Sequence, residues 1–487
     1  MIRAELTKLR TVRGWLFGLT AAVVLFVGSA LLVAAGSHMS CGDQACPAPP
    51  VGPDGQAVED HFGFAHRTLA GDGSLTAHVR DFSGIITYPP PRHDQIVEGL
   101  VPWAKAGLVI KDGTRPGSPY AAVMLTGSHG VRMQHDYVHD RAGGPTGARW
   151  LRLTRTGASV TAYASLDGKT WTTVGTVEMS GPAEIGFLIA SPGDITVTEN
   201  GLGGTSVQSR FTQASAVFDQ ITSTAGGEWR YDEVGGGGPG ADWEKYHRPA
   251  GLEASAGRLT LTGSGDLAPV SGMAAVPYLA GTVPALLAVL IVAVLFITSE
   301  FRRGLIRTTL LASPARGHVL AAKAAVIGGV TFTVVLVAVV AARAWSTTVF
   351  RANGNIVLPT GALTDLRLAV GTAALLAVTA VLAYGLGVLL RRGLPAILLA
   401  VLLTVVPYLL ATTSLLPPGA GEWLLRVTPA AGFAVQQTFP AYGHVLLPYT
   451  PAQGYFPLAP LAGLAIAAAW ALGLLVLAVL RFRRADV

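Results

Sequence analysis

The sequence predicts a membrane protein of two unlike parts: an all-α bundle of six transmembrane helices, and an extracytoplasmic all-β domain inserted between the first helix and the second. Three observations predict it. The 487 residues are 51% hydrophobic and 13% charged, against roughly one quarter charged in soluble domains. The apolar residues gather into six long runs. The first two runs are separated by about 240 residues that contain no such run, and there the pattern changes to short alternating segments.

A helix needs about 20 apolar residues to cross a hydrocarbon core of about 30 Å. The runs lie at 15–35, 277–298, 324–342, 368–390, 394–416 and 457–480, and none contains Asp, Glu, His or Lys. Ion-driven carriers keep ionisable groups inside the bilayer, so a chain that moves something without them needs outside energy. Arg3, Lys8, Arg10 and Arg13 precede the first run, and Arg302, Arg303, Arg307, Arg316 and Lys323 follow the second. Arg391 and Arg392 follow the fourth, and Arg481, Arg483 and Arg484 the sixth. The alternate connections are poorer in basic residues, chiefly Arg343, Arg351, Arg367 and Arg426. Because cytoplasmic flanks retain Lys and Arg, the chain is expected to be a multi-pass protein of the cell membrane. Both termini are then cytoplasmic and residues 37–276 extracytoplasmic. The net charge of +6 follows from this orientation and does not imply nucleic-acid binding. A cleaved signal peptide is the alternative for the first run, with small residues at Ala34 and Ala35, but that run is longer than a typical signal-peptide core.

Residues 1–36 thus form the cytoplasmic N-terminus and first transmembrane helix, followed by a β-sandwich at 37–200. In the segment Trp150 to Gly157, Leu151 and Leu153 face one side while Arg152 and Thr154 face the other, as in a half-buried strand. Asp167 and Gly168 then separate two strand-like runs, the dipeptide favoured in a tight hairpin turn. Residues 106–112, 119–126, 131–137 and 185–191 add further short strands, a spacing that suggests two packed sheets. The stretches AGLVIKDGTRPGSPYAAVML, WLRLTRTG, SLDGKTW and EIGFLIAS, in that order, resemble concanavalin- and laminin-G-like jelly-roll domains over about residues 62–200. Several such domains bind carbohydrate, so the resemblance implies a possible sugar or cell-wall ligand. Residues 201–276 are expected to be a β-rich extension or stalk. Their Phe218, Trp229 and Trp243 argue against a disordered linker despite the Gly run at 235–238. Cys41 and Cys46, the only two cysteines, suit one local disulfide outside the cell.

Chemistry-bearing motifs are few. Gly168-Lys169-Thr170 is no phosphate-binding loop, since Tyr163 occupies the position of the required first glycine. No zinc motif occurs, and His129, His135 and His139 suit solvated positions better than metal ligation. A carboxylate pair such as Asp136 and Asp140 has the chemistry to meet calcium in a sandwich loop. No nucleophile with a base, and no paired acid and base, is legible. The sequence therefore points to no enzyme, no catalytic residue, no metal and no cofactor in this chain.

The last part, 277–487, holds the remaining five spans and the cytoplasmic segment 299–323, SEFRRGLIRTTLLASPARGHVLAAK. On a helix, Phe301 and Leu305 form one stripe and Arg303 and Arg307 another. Pro314 and Gly317 end it. Together with RAELTKLRTVRGWLFGL at the N-terminus and six spans, this segment resembles permease subunits of type-2 ATP-binding-cassette exporters. The resemblance implies a separate cytoplasmic ATPase that carries the ATP, and a second permease copy, as homodimer or heterodimer. It places the ATPase contact on Glu300, Arg302, Arg303, Gly304 and Arg307, with Glu5, Lys8 and Arg10 in an interfacial first helix. The simplest members have only a short loop where this chain has its β-domain. The alternative is a membrane-anchored glycan- or cell-wall-binding or sensing protein, for which one helix would suffice. The two faces are separable by labelling. A thiol reagent that cannot cross the membrane is expected to modify Asp167→Cys in intact cells and to reach Arg303→Cys only after permeabilisation, and labelling of both in one compartment would overturn the topology.

Overall fold

A computed structural model describes residues 2–41, 46–88, 95–200, 204–236, 249–270, 277–306, 315–413, 415–447 and 449–484. Eight α-helices occur among them: α1 (Ile2–Thr11), α2 (Arg13–Gly36), α3 (Thr282–Arg302), α4 (Arg316–Ala352), α5 (Ala362–Leu390), α6 (Gly393–Thr412), α7 (Pro418–Val427) and α8 (Pro460–Arg484). Six helical segments, all but α1 and α7, are long and apolar enough to cross a membrane. Their outward faces differ from those of a soluble bundle. Phe17, Val24 and Leu32 on α2, Leu394, Leu398 and Leu402 on α6, and Leu461, Leu472 and Val476 on α8 are all exposed. Such long apolar surfaces are rare on proteins that meet water. The inward faces are small-residue seams. Ala30, Ala342, Ala373, Ala380, Ala383 and Ala471 are buried, so the helices approach closely around Phe26, Phe296 and Tyr384.

The helices run further than the apolar runs suggested. Helix α3 includes Glu300, and α4 begins at Arg316 and so includes Lys323, while α5 begins at Ala362 and includes Asp365. Charged residues therefore lie within these helices near their ends, while the apolar runs themselves keep none of Asp, Glu, His or Lys.

The inserted region is β-sandwich-like. One sheet has seven strands in the order β15 (Arg230–Val234), β2 (Phe62–Leu69), β12 (Ala183–Ala190), β5 (Lys105–Lys111), β6 (Tyr120–Thr126), β7 (Val131–His135), β8 (His139–Ala142). The other runs β11 (Thr172–Glu178), β10 (Ser159–Ser165), β9 (Trp150–Thr156), β3 (Gly73–Thr87), β14 (Gly204–Ser223), β17 (Arg258–Gly263), β16 (Gly251–Ser255), with β4 (Ile96–Glu98) on β3 and β13 (Asp194–Asn200) on β14. Leu75, Leu108, Val123, Leu151, Leu153, Phe187 and Phe218 fill the space between the sheets and are fully buried. Alternation decides this, since Leu151 and Leu153 point inward while Arg152 and Thr154 are only half-buried.

Two expectations change here. The described residues of 201–276 are a β-rich extension built into the sandwich and not a stalk, because β14 pairs along β3 in the middle of the larger sheet and β15 pairs with β2 in the smaller. The hairpin at Asp167 is not a two-residue turn either. Six residues link β10 to β11, and within them only Gly168 takes positive φ, at 72°. Asp167 holds the loop by accepting from the backbone N–H groups of Lys169 and Thr170, both at 2.8 Å. Those bonds, that of Thr170 first, keep its carboxyl at about 2.

The second face of the seven-stranded sheet is covered by other parts of the chain. A two-stranded ribbon of β1 (Val58–Asp60) and β18 (Leu267–Pro269) contributes Val58 and Leu267 to a cluster with Phe62, Phe64, Val109, Met124 and Tyr137. The segment between α7 and α8 adds His444, which is buried and lies 2.9 Å from the Tyr137 carbonyl, so its Nε2–H donates. The His444 ring also meets Trp103 edge to face at 6.3 Å. Burial first, and Lys105 second, pull the imidazole below its ordinary value near 6.5, while the Tyr137 bond, Asp140 and Asp266 oppose the shift.

A histidine held neutral stabilises the contact above its ordinary pKa, and that stability is lost as pH falls through the lowered value. Hydrogen exchange at residues 440–447, corrected for intrinsic rates, is therefore expected to rise as pH is lowered from 7 into the moderately acid range. His444→Gln should flatten that dependence; an unchanged pH profile in the variant would remove His444 from the contact.

Candidate functional site

The end of the bundle away from the β-domain gathers four charged side chains from three helices. Glu5 and Lys8 lie one turn apart on α1, Glu300 ends α3, and Lys323 lies two turns into α4. The Lys323 ammonium, with no exposed surface, donates to Glu5 Oε2 at 2.6 Å and to Glu300 Oε1 at 2.9 Å. Lys8 pairs with the same Glu300 oxygen from the more open side. Two positive and two negative charges cancel, which is the condition for keeping them out of water. The apolar surroundings are close: the Phe296 ring lies 5.7 Å from Lys323 Nζ, and the Tyr384 hydroxyl donates to the Leu320 carbonyl at 3.2 Å.

This cluster fixes the first helix. Helix α1 is amphipathic, with Glu5 and Leu6 turned inward and Arg3 exposed, and by itself a ten-residue helix is marginal in water. Its attachment through Glu5 and Lys8 to α3 and α4 holds it across the bundle end. The sequence signal for this was weak. Glu5 and Lys323 are separated by 318 positions, and no local pattern pairs them.

Beside the cluster lies the segment expected to meet an ATPase, and its members separate. Glu300 is buried and spent on Lys8 and Lys323, so it supports the segment from inside and cannot itself be a surface contact. Arg302 and Arg303 are exposed. Gly304 has φ 66° with open space where a Cβ would be, the left-handed residue that commonly ends a helix. The expected continuous stripe of Phe301 and Leu305 is therefore broken: α3 stops at Arg302 and the chain turns at Arg303 and Gly304. Phe301 packs instead against Phe482 of α8, at 6.1 Å, under the Arg391 guanidinium at 5.5 Å. Arg307 lies outside the described residues, as do 308–314. The result is a rim of guanidinium groups from Arg302, Arg303 and Arg391 around an apolar pair, seated on a neutral ion cluster.

The remaining candidates are scattered. Cys41 and Cys46 are joined in a disulfide just beyond α2, with Cα atoms 5.0 Å apart. Asp140 does not pair with Asp136 around a cation site. Burial raises its carboxyl, but the bonds from Arg132 and Gln134 outweigh this and hold it below the usual range. His129 stacks on Trp103 at 4.0 Å, and His135 stacks on His139, which reaches Asp54 at 3.0 Å. Among the described residues no group of three or more His, Cys, Asp or Glu is arranged to hold a metal ion.

No protein family matches this chain, and no curated protein matches it. Among solved structures, a functionally unknown protein from Saccharomyces cerevisiae is 14% identical, covering 39% of this chain and 92% of its own, with a TM-score of 0.19. SCP-B, a member of the Eqolisin family of peptidases in a complex with a tripeptide Ala-Ile-His, is 12% identical, covering 43% and 99%, with a TM-score of 0.22. Neither likeness bears on fold or function at these scores.

Removing one partner of a buried ion cluster leaves an uncompensated charge, at a cost of about 3–5 kcal/mol. Lys323→Met is accordingly expected to lower the thermal midpoint of the detergent-solubilised protein, and adding Glu300→Gln should recover part of the loss. A Lys323→Met protein that melts like the parent would show that the cluster does not hold the helices.

Proposed function

We propose that this chain is the permease subunit of an ATP-binding-cassette exporter, energised by a separate cytoplasmic ATPase and working with a second permease copy. The observation that carries the reading is the arginine rim seated on the buried Glu5, Lys8, Glu300 and Lys323 cluster. Arg302 and Arg303 stand exposed at the end of α3, and Glu300, two residues before Arg302, is ion-paired to α1 and α4. In this reading a push on the rim is passed to three helices, because the ion pairs of Glu300 tie α3 to α1 and α4. That is what a subunit without its own nucleotide site requires. The placement of the rim and both termini in the cytoplasm, and of the β-domain outside, follows from the positive-inside pattern of the sequence.

The inserted domain, in this reading, is a jelly-roll-like accessory on the outer face that is joined to the bundle through His444. Its smaller sheet does not offer an open sugar-binding face, since Tyr137, the β1 and β18 ribbon and His444 occupy it. This favours the permease over the glycan sensor. Reversing the rim, Arg302→Glu with Arg303→Glu, places like charges against any acidic groove that receives it, a change worth several kcal/mol. With the ATPase encoded nearby, the double variant is expected to lose co-purification and permease-stimulated ATP turnover by about tenfold or more, while membrane insertion and thermal midpoint stay unchanged. Undiminished stimulation would remove this rim as the coupling site.

A further inference from the structure

At the β-domain end of the bundle, the start of α5, the end of α4 and the turn between them enclose a cleft of about 300 Å³. Its chemistry is divided. It is lined by Arg343, Arg351 and Thr347 and also by the apolar side chains of Phe350, Val357 and Leu358. Arg343 is bound to Asp365 Oδ2 at 2.5 Å, and Thr360 donates to Asp365 Oδ1 at 2.6 Å. Both oxygens of that carboxylate are therefore engaged. Arg351 has no ion-pair or hydrogen-bond partner among the described residues, and it is exposed toward the cleft mouth.

The cleft consequently holds one unit of uncompensated positive charge from side chains, two guanidinium groups against one carboxylate. Helix α5 adds to it, since its N-cap is Gly361 and no side chain caps its opening N–H groups. The shape is stable. Asn353 Nδ2 donates to the Ala34 carbonyl at 3.0 Å and Asn355 Nδ2 to the Ser37 carbonyl at 2.7 Å, which pin the turn after α4 to the end of α2. The level of the cleft is also defined. The uncharged part of α4 stops at Ala342, and Trp345, 59% exposed, stands on the same helix between the two arginines. Trp favours the boundary between hydrocarbon and water.

A site that combines arginines with apolar side chains at that boundary suits an anion that is itself half apolar. We infer that the cleft binds the phosphate-bearing headgroup of an anionic lipid, with Arg351 as the free anchor, Arg343 and Thr347 beside it, and the glycerol and first methylenes against Phe350 and Leu358. Guanidinium binds phosphate through paired N–H donors, and Arg351 is the group with donors to spare. A free phosphate ion would meet the arginines but would leave the apolar side chains of the lining unused. The inference rests on reading the six helices as membrane spans and not on the ATPase partner, so it stands or falls separately from the permease reading.

The test uses the full-length protein in neutral detergent and native mass spectrometry. The probes are dihexanoyl phosphatidylglycerol, dihexanoyl phosphatidylcholine and inorganic phosphate. The expected result is retention of phosphatidylglycerol over phosphatidylcholine. Arg351→Gln should weaken it by about tenfold or more, the loss of one charge-assisted contact. Thr347→Phe, which fills the cleft and leaves every charge in place, should weaken it similarly. Arg426→Gln, on the remote helix α7, should leave it unchanged. Displacement by phosphate at equal concentration would assign the cleft to a soluble anion and overturn the lipid source. Equal retention of the zwitterionic lipid, or binding unaffected by both cleft variants, would overturn the site.

Discussion

The Lys323 ammonium lies between two carboxylates with no water contact, and much of the bundle is arranged to make that tolerable. A buried ammonium without a counter-charge costs several kcal/mol, so Glu5 and Glu300 must approach it from different helices. Glu5 can do so only if α1 lies across the bundle end, and Glu300 only if α3 continues past its apolar stretch. The lattice is completed by Lys8, whose half-open position lets one member of the cluster keep partial hydration. The same four residues that neutralise one another thereby set the level of α1, the end of α3 and the start of α4. The arginines that follow Glu300 inherit their position from this lattice.

The β-domain is fixed by a different kind of contact. Its chain enters from α2 and leaves into α3, so both attachments stand on one side of the bundle. The third point is the segment before α8, where His444 reaches the Tyr137 carbonyl and the Trp103 ring. Three separated attachments restrain rotation in a way that two adjacent ones do not. The contact holds one hydrogen bond from His444, and the imidazole serves it in the neutral form because burial, and then Lys105, disfavour a second positive charge more than Asp140 and Asp266 favour it. Lys111 shows the complementary solution within the same face. Burial pulls its ammonium below the usual lysine range, and Asp60, at 2.7 Å, opposes the fall with help from Asp112 and Asp136, while the ammonium also donates to the Tyr137 hydroxyl at 2.9 Å.

Element type was legible wherever a period ran long enough to dominate. Twenty apolar residues in a row admit few alternatives to a buried or spanning helix, and the alternation at Leu151 and Leu153 admits few alternatives to a strand with one buried face. Element ends were less legible. Glu300 and Lys323 look like loop residues when helix ends are placed at the first charge, yet both lie inside helices, Glu300 near the end of α3 and Lys323 two turns into α4, where each meets an opposite charge. Gly304 was visible as part of a motif, but its role in stopping α3 depends on a backbone angle of 66° that a run of arginines does not announce. Residues 201–276 were misjudged for a related reason. A strand of β14 belongs to the sandwich through β3, more than 100 positions earlier, and nothing local in its composition names that neighbour.

The sequence by itself determined the two kinds of segment in this molecule, long apolar helices and short alternating strands, and their order along the chain, because hydropathy and period are properties of neighbouring residues. It also located the arginines at alternate connections, since charge beside an apolar run needs no fold to be read. Only the tertiary structure decided which charges are spent and which are free. Glu300 is consumed by Lys8 and Lys323, Asp140 by Arg132, and Asp365 by Arg343, whereas Arg302, Arg303 and Arg351 remain exposed. The physical reason is that ion pairing falls off over a few ångströms, and distances of that size between residues hundreds of positions apart exist only once the chain has folded.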